Sequence, residues 1–292
     1  MVNLVRSFGM FVFSLTVLAA IPVCQAQSQA ACTFTRFTIS GSANPMGINS
    51  FSTVVGQVTS SNGSASKGFV RFSGGGVTYY SAPNVNFSYF TSRGDDGVNV
   101  GVYGNVGGTF EGFMLNGSTF TKIVDPNSGA PYGTRTTGIN KFNTVVGFYA
   151  TSAGVYHGFR RYSNGSYGNI DYPGGQFTQP NGINNNGMIA GSFSDGIGSH
   201  GFVFYSGKWA KVDYPGSNGT TQALGISDAG VVLGVNTANE PSTYFLDENG
   251  TFKVVADSTA SSLAVIGMAP NGLVVGTESR NGSNNEFIAS CK

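Results

Sequence analysis

The chain has 292 residues, with 15 Lys and Arg against 14 Asp and Glu, 44 glycines, and only two histidines, three cysteines and one tryptophan. An apolar share of 40% with a net charge near zero excludes a disordered charged tail, and it equally excludes a nucleic-acid binder that works through a basic footprint. The glycines follow no three-residue period with proline, which excludes collagen.

Residues 1–26 read as an export signal. Arg6 supplies the positive start, Phe8 to Val23 form the apolar stretch, and Cys24-Gln25-Ala26 offers the small-residue site, with cleavage expected after Ala26. The apolar run is short for a membrane span, and no stop-transfer segment follows it. Acylation of Cys24 is the lesser reading, because bulky Val23 stands directly before it. The expected location is therefore secreted or periplasmic, an oxidising compartment in which Cys32 and Cys291 are free to pair.

From residue 27 onward the chain reads as one repeat domain. The segments GINSFSTVVG (47–56), SRGDDGVNVG (92–101), GINKFNTVVG (138–147), GINNNGMIAG (182–191), GISDAGVVLG (225–234) and GMAPNGLVVG (267–276) align without gaps. Their last glycines, Gly56, Gly101, Gly147, Gly191, Gly234 and Gly276, are 42 to 46 residues apart. Eleven to thirteen residues after each anchor stands a phenylalanine, Phe69, Phe113, Phe159, Phe202, Phe245 or Phe287, preceded by glycine in the first four copies. A third signal, Asp125-Pro126, Asp171-Tyr172-Pro173-Gly174 and Asp213-Tyr214-Pro215-Gly216, follows in several copies.

Within each unit, short β-branched and aromatic runs alternate with turn residues, and Asn-Gly at 116–117, 164–165 and 249–250, with Ser-Gly at 206–207, favours type I′ hairpins. Four antiparallel strands in about 44 residues is the size of a propeller blade. The predicted fold is thus all-β, a six-bladed β-propeller. The sixth copy lacks a fourth strand, and CTFTRFTISG (32–41) aligns with GKWAKVDYPG (207–216), so the N-terminal strand is expected to complete the last blade. That alignment sets Cys32 and Cys291 where an intact blade has its last hairpin turn, which predicts a disulfide between them.

The Gly-Ile-Asn turn, the Val-Val-Gly strand, His157-Gly158-Phe159 and His200-Gly201-Phe202, and the closing Asp-Tyr-Pro-Gly together resemble the bacterial extracellular HAF repeat family. The resemblance covers nearly all of the chain after the signal. It implies secretion and a propeller, and it carries no catalytic residues to transfer.

The sequence contains no His-Glu-x-x-His, Cys-x-x-Cys or Gly-x-Ser-x-Gly motif. His157 and His200 occupy one repeat position and are expected to serve their own blades, too far apart to share a metal. Asp125, Asp171, Asp213 and Asp257 share the position after the fourth strand, where a carboxylate caps the following turn. Gly196 to Gly201 match Gly-x-Gly-x-x-Gly, yet a strand follows rather than a helix, and Arg93-Gly94-Asp95 falls on a repeat turn. The preferred function is a secreted, monomeric, non-enzymatic binding module for an extracellular glycan or protein, without cofactor or metal, nucleic-acid partner or membrane span. Tyr132, Arg135, Tyr172 and Tyr214, in the loops joining units, are the candidate ligand contacts. The alternative is a carbohydrate-active hydrolase or lyase using Asp195, Glu240 or Glu278, the acids that the repeat does not explain.

Overall fold

The computed structural model describes residues 27–105 and 107–292. The export signal read over residues 1–26 lies outside them. The described residues form strands and turns with no helix, in a β-propeller arrangement.

The fourth unit shows the local logic. Its strands, Phe177–Ile183, Ile189–Ser194, Ser199–Tyr205 and Lys208–Val212, pair antiparallel in chain order. The last two are joined through Ser206 and Gly207, both at positive φ (49° and 78°), as a type I′ hairpin requires. Asn249 and Gly250 do the same in the fifth unit, at 53° and 84°. The expectation fails in two other units. Asn116 pairs directly with Thr119, so the second unit's loop is Gly117-Ser118, and Asn164-Gly165 lies in a longer turn closed by the Tyr162 amide on the Ser166 carbonyl.

The two strongest repeat signals are two halves of one contact. Each anchor glycine pairs across the sheet with its unit's phenylalanine: Gly56 with Phe69, Gly101 with Phe113, Gly147 with Phe159, Gly191 with Phe202, Gly234 with Phe245 and Gly276 with Phe287. A Cβ on any of these glycines would lie within 3.0 Å of the phenylalanine ring. All six rings are fully buried, so the absent side chain is what lets each ring lie flat on the second strand.

A further repeat appears only in three dimensions. The first strand of every unit carries a bulge, at Met46, Thr91, Thr137, Asn181, Leu224 and Ile266, where one residue has no partner on the second strand. These residues and their neighbours line a narrow axial channel of about 60 Å³. Bulge side chains also tie adjacent units together: Thr137 Oγ1 donates to the Pro180 carbonyl at 2.7 Å, and Asn181 Nδ2 to the Ala223 carbonyl at 2.8 Å.

At the N-terminus, Cys32–Phe37 pairs antiparallel with Ser283–Cys291, beside Val274–Arg280 and Ser262–Met268. Cys32 stands opposite Cys291 and the two form a disulfide with an S–S distance of 2.04 Å. Phe34 packs edge-on against Phe287 at 5.1 Å, as Trp209 packs against Phe202 at 5.1 Å, the equivalence that the sequence alignment predicted. Ser28–Gln29 adds a short parallel strand beside Thr251–Val255.

Replacing Gly191 with alanine should lower stability by about 2 kcal/mol or more, because the new Cβ meets both the Phe202 ring and the first strand's backbone. Gly74→Ala, with open space around it, should be neutral. Denaturant unfolding of the two variants checks the contrast, and equal stabilities would refute the ring-on-glycine account.

Candidate functional site

The two ends of the axial channel have different chemistry. At one end lie the turns between first and second strands. Each has a residue in the left-handed region at the same place, Ser52, Gly97, Asn143, Gly187, Gly230 or Gly272, with φ from 58° to 90°. Asn49, Asn140 and Asn184 each accept two amides of their own turn and donate Nδ2 to the next unit, at the carbonyls of Gly94, Asn184 and Ser227. Asp95 accepts the Ser50 amide and hydroxyl, and Asp228 accepts the Asn185 amide. The Asn185 side chain then reaches both carboxylates, at 3.1 Å each. The Arg93-Gly94-Asp95 string is therefore part of a hydrogen-bonded ring of turns, with Gly94 buried, rather than an extended adhesive loop.

The other end gathers the loops between second and third strands and those joining successive units. Here the units depart from one another. In the fourth, His200 is buried with Nδ1 at 2.9 Å from Asp213 and Nε2 at 3.2 Å from Asp195, while Lys211 holds Asp213 at 2.9 Å. In the third, His157 Nδ1 meets Asp171 at 3.2 Å. Each histidine thus serves its own unit. Both nitrogens of His200 lie within 3.2 Å of a carboxylate oxygen. Asp195, His200 and Asp213 line an open pocket of about 580 Å³, with Tyr214 and residues 215–219 completing it. The amides of Ile197 and Gly198, donating to Asp195 Oδ1 at 2.9 and 3.0 Å, hold its carboxyl below the usual carboxylate range.

The other acids singled out in sequence stand apart. Glu278 is buried and paired with Arg36, which also holds Asp257. Burial pushes the Asp257 carboxyl up, but hydrogen bonds from Thr259 and the charge of Arg36 outweigh it and bring it below its ordinary value. Glu240 is exposed in the connection between Val232–Asn236 and Thr243–Glu248 and has no ion pair among the described residues. The structure therefore does not bring Asp195, Glu240 and Glu278 into one cluster, and no group of three His, Cys, Asp or Glu suited to a metal occurs among the described residues.

Two of the aromatic candidates are already occupied. Tyr172 stacks on Phe193 at 3.6 Å with Trp209 against its edge, and Tyr214 is buried on Phe245 and Phe252. Their rings pack between units, as a repeated aromatic beside proline is expected to do. Tyr132 and Arg135 are different. Tyr132 is exposed and leads, through Tyr156 at 6.4 Å, to Phe177 at a further 6.1 Å. Tyr156 and Phe177 wall a cleft of about 320 Å³, whose floor and far side are Gln179, Ser192, Ser199 and Gln222. Arg135 pairs in register with Phe148, which touches Tyr156 at 5.7 Å, and its guanidinium lies over Phe110 at 5.4 Å.

The cleft residues escaped sequence reasoning. Gln179 and Gln222 stand two places before the bulges at Asn181 and Leu224, the same row as Arg135, and that row is visible only once the bulges are known.

No family model and no curated protein matches the chain. Solved structures do. TolB from Acinetobacter baumannii aligns with a TM-score of 0.56 at 13% identity over 82% of this chain, which spans 64% of the TolB chain. AofleA from Arthrobotrys oligospora gives 0.51 at 9% identity, covering 90% of both chains. A gluconolactonase from Xanthomonas campestris gives 0.50 at 10% identity, covering 91% of this chain and 97% of its own. At such identities the likeness shows the propeller fold and nothing of activity. The disulfide is compatible with an extracellular or periplasmic location, and no helix among the described residues is long and apolar enough to cross a membrane.

Because its folded carboxyl is held below its unfolded value, Asp195 is ionised in the folded chain where a free aspartate already begins to take up a proton. Its bonds to the loop are present above the unfolded value and are lost only as pH falls through the lower folded one. In an NMR titration the Ile197 and Gly198 amide shifts should move with a midpoint below that of a free aspartate. A midpoint at or above about 4 would contradict the amide-held carboxylate.

Proposed function

We propose that the chain is an exported, non-enzymatic propeller that binds saccharide at the loop end of its axis. Six blades, closed by the N-terminal strand, fit the six sequence units. The Cys32–Cys291 bond supports this closure, as does the packing of Ser42–Ile48 against both Val274–Arg280 and Ser262–Met268. The HAF-type repeat signature and the signal-like start at residues 1–26 support export.

The cleft carries the ligand reading. Its volume of about 320 Å³ lies at the small end of ligand pockets. Its wall offers the aromatic faces of Phe177 and Tyr156 to the C–H face of a sugar ring, and Gln179, Ser192, Ser199 and Gln222 offer donors and acceptors to ring hydroxyls. No carboxylate lines it, so it holds a sugar without the acid and base that hydrolysis needs. Binding rather than turnover is further supported by the separation of Asp195, Glu240 and Glu278 and by the full engagement of His200.

Glycan-array screening followed by calorimetry on the best binder tests the reading. Phe177→Ala should weaken binding at least tenfold, about 1.4 kcal/mol, with unfolding unchanged because the ring is 38% exposed. An unchanged affinity would remove the cleft from the site. Release of sugar from a polysaccharide panel, lost in Asp195→Asn, would replace binding by catalysis.

A further inference from the structure

The row of side chains two places before each bulge runs around the loop end of the channel as Asn44, Tyr89, Arg135, Gln179, Gln222 and Ala264. Their second-strand partners are Gln57, Val102, Phe148, Ser192, Val235 and Thr277. These two rows contain twelve side chains, amides, hydroxyls and apolar groups, and a single charge. That charge is Arg135.

Among the described residues Arg135 has no carboxylate partner, whereas three other basic side chains do. Arg36 is held by Asp257 and Glu278, Lys122 by Glu111, and Lys211 by Asp213. Glu111, which follows Phe110 in sequence, is engaged by Lys122 at 2.8 Å and by the Tyr103 hydroxyl at 2.6 Å. The guanidinium is nonetheless positioned rather than loose. Phe110 covers one face of it, and it stands beside the Tyr89 phenol, whose acidity burial lowers and the Arg135 charge partly restores. A planar cation held in this way, with no carboxylate partner among the described residues, matches the two oxygens of a carboxylate. Phe148 and Tyr156 connect it to the Phe177 wall, so one sugar chain can reach both.

Resting on the saccharide reading above, we propose that the ligand is an acidic saccharide, a chain containing hexuronic acid units, whose sugar ring lies on Phe177 and Tyr156 and whose carboxylate is taken by Arg135. This also assigns the asymmetry of the rim. A neutral glycan needs amides and hydroxyls alone, which Asn44, Gln179 and Gln222 already supply, whereas Arg135 adds a specificity that only an anionic substituent uses.

The test uses trimers of galacturonic, mannuronic, guluronic and glucuronic acid, each compared with its carboxyl-reduced neutral counterpart, on the full chain with its disulfide intact. At least one acid trimer should bind at least tenfold more tightly than its reduced form, with an affinity that falls as salt rises. Arg135→Gln should bring the acid down to the level of the reduced sugar, and Arg135→Lys, which keeps the charge and loses the fork, should fall between. Equal binding of acid and reduced forms, or a preference that survives Arg135→Gln, overturns the inference. Failure of every acid trimer also overturns it, and in that case a neutral glycan whose binding is lost in Phe177→Ala leaves the saccharide reading standing.

Discussion

A phenylalanine ring laid flat on a cross-strand glycine recurs in every unit, and the other regularities of the molecule follow from it. Each ring needs the second strand to carry no side chain at that point. With Cβ removed, the second strand also approaches the carbonyl of the first strand closely, at Asn44, Tyr89, Arg135, Gln179 and Ala264 in five of the units. This tight approach lies immediately beside the bulge, where the first strand takes up one extra residue and turns it toward the axis. Core packing, bulge and channel lining are therefore one arrangement, repeated. Because it fixes the first strand's register, it also determines which residues reach the channel mouth.

The constraint is conservative in chemistry, and function has been left to what varies around it. The polar bulge residues bond to nearby backbone, as Thr91, Thr137 and Asn181 do, and the turns at the far end of the axis spend their asparagines and aspartates on one another. The asparagine and aspartate groups bonded there are satisfied by the protein, whereas Asn143 Oδ1 and Arg93 Nε are buried without a partner. At the loop end the units diverge, and it is there that aromatic faces stand exposed and the Arg135 guanidinium has no ion pair among the described residues. His200 with its two aspartates also belongs to this end, but its hydrogen bonds are directed inward, which makes it a brace for the Asp195 loop.

Much of this was legible in the sequence. Gly191 and Phe202 are separated by a turn and a few residues, so their spacing repeats visibly, and the match of Phe34 to Trp209 exposed the role of the N-terminal strand before any pairing was known. Cys32 and Cys291 followed from that match. The candidate site was legible only in part. Tyr132 and Arg135 stand in a loop and at a strand start that the repeat marks, whereas Tyr172 and Tyr214, equally marked, turned inward to fill the gap between units. Sequence cannot separate those cases, because a Tyr-Pro pair reads the same on either side of a loop. Gln179 and Gln222 were hidden for a different reason: the bulge shifts the alternation of the first strand, and a bulge at Asn181 or Leu224 leaves no mark in residue type.

The cleft proposed for saccharide and the His200 pocket lie at the same end of the molecule and would imply opposite activities. A crystal structure of the protein soaked with the acidic trimer that binds it separates them most directly. The sugar ring should lie on Phe177 and Tyr156, with its carboxylate in two-point contact with Arg135 and its hydroxyls on Gln179 and Gln222. A sugar seated instead against Asp195 and Asp213, with His200 displaced from between them, would contradict a binding module and point to catalysis.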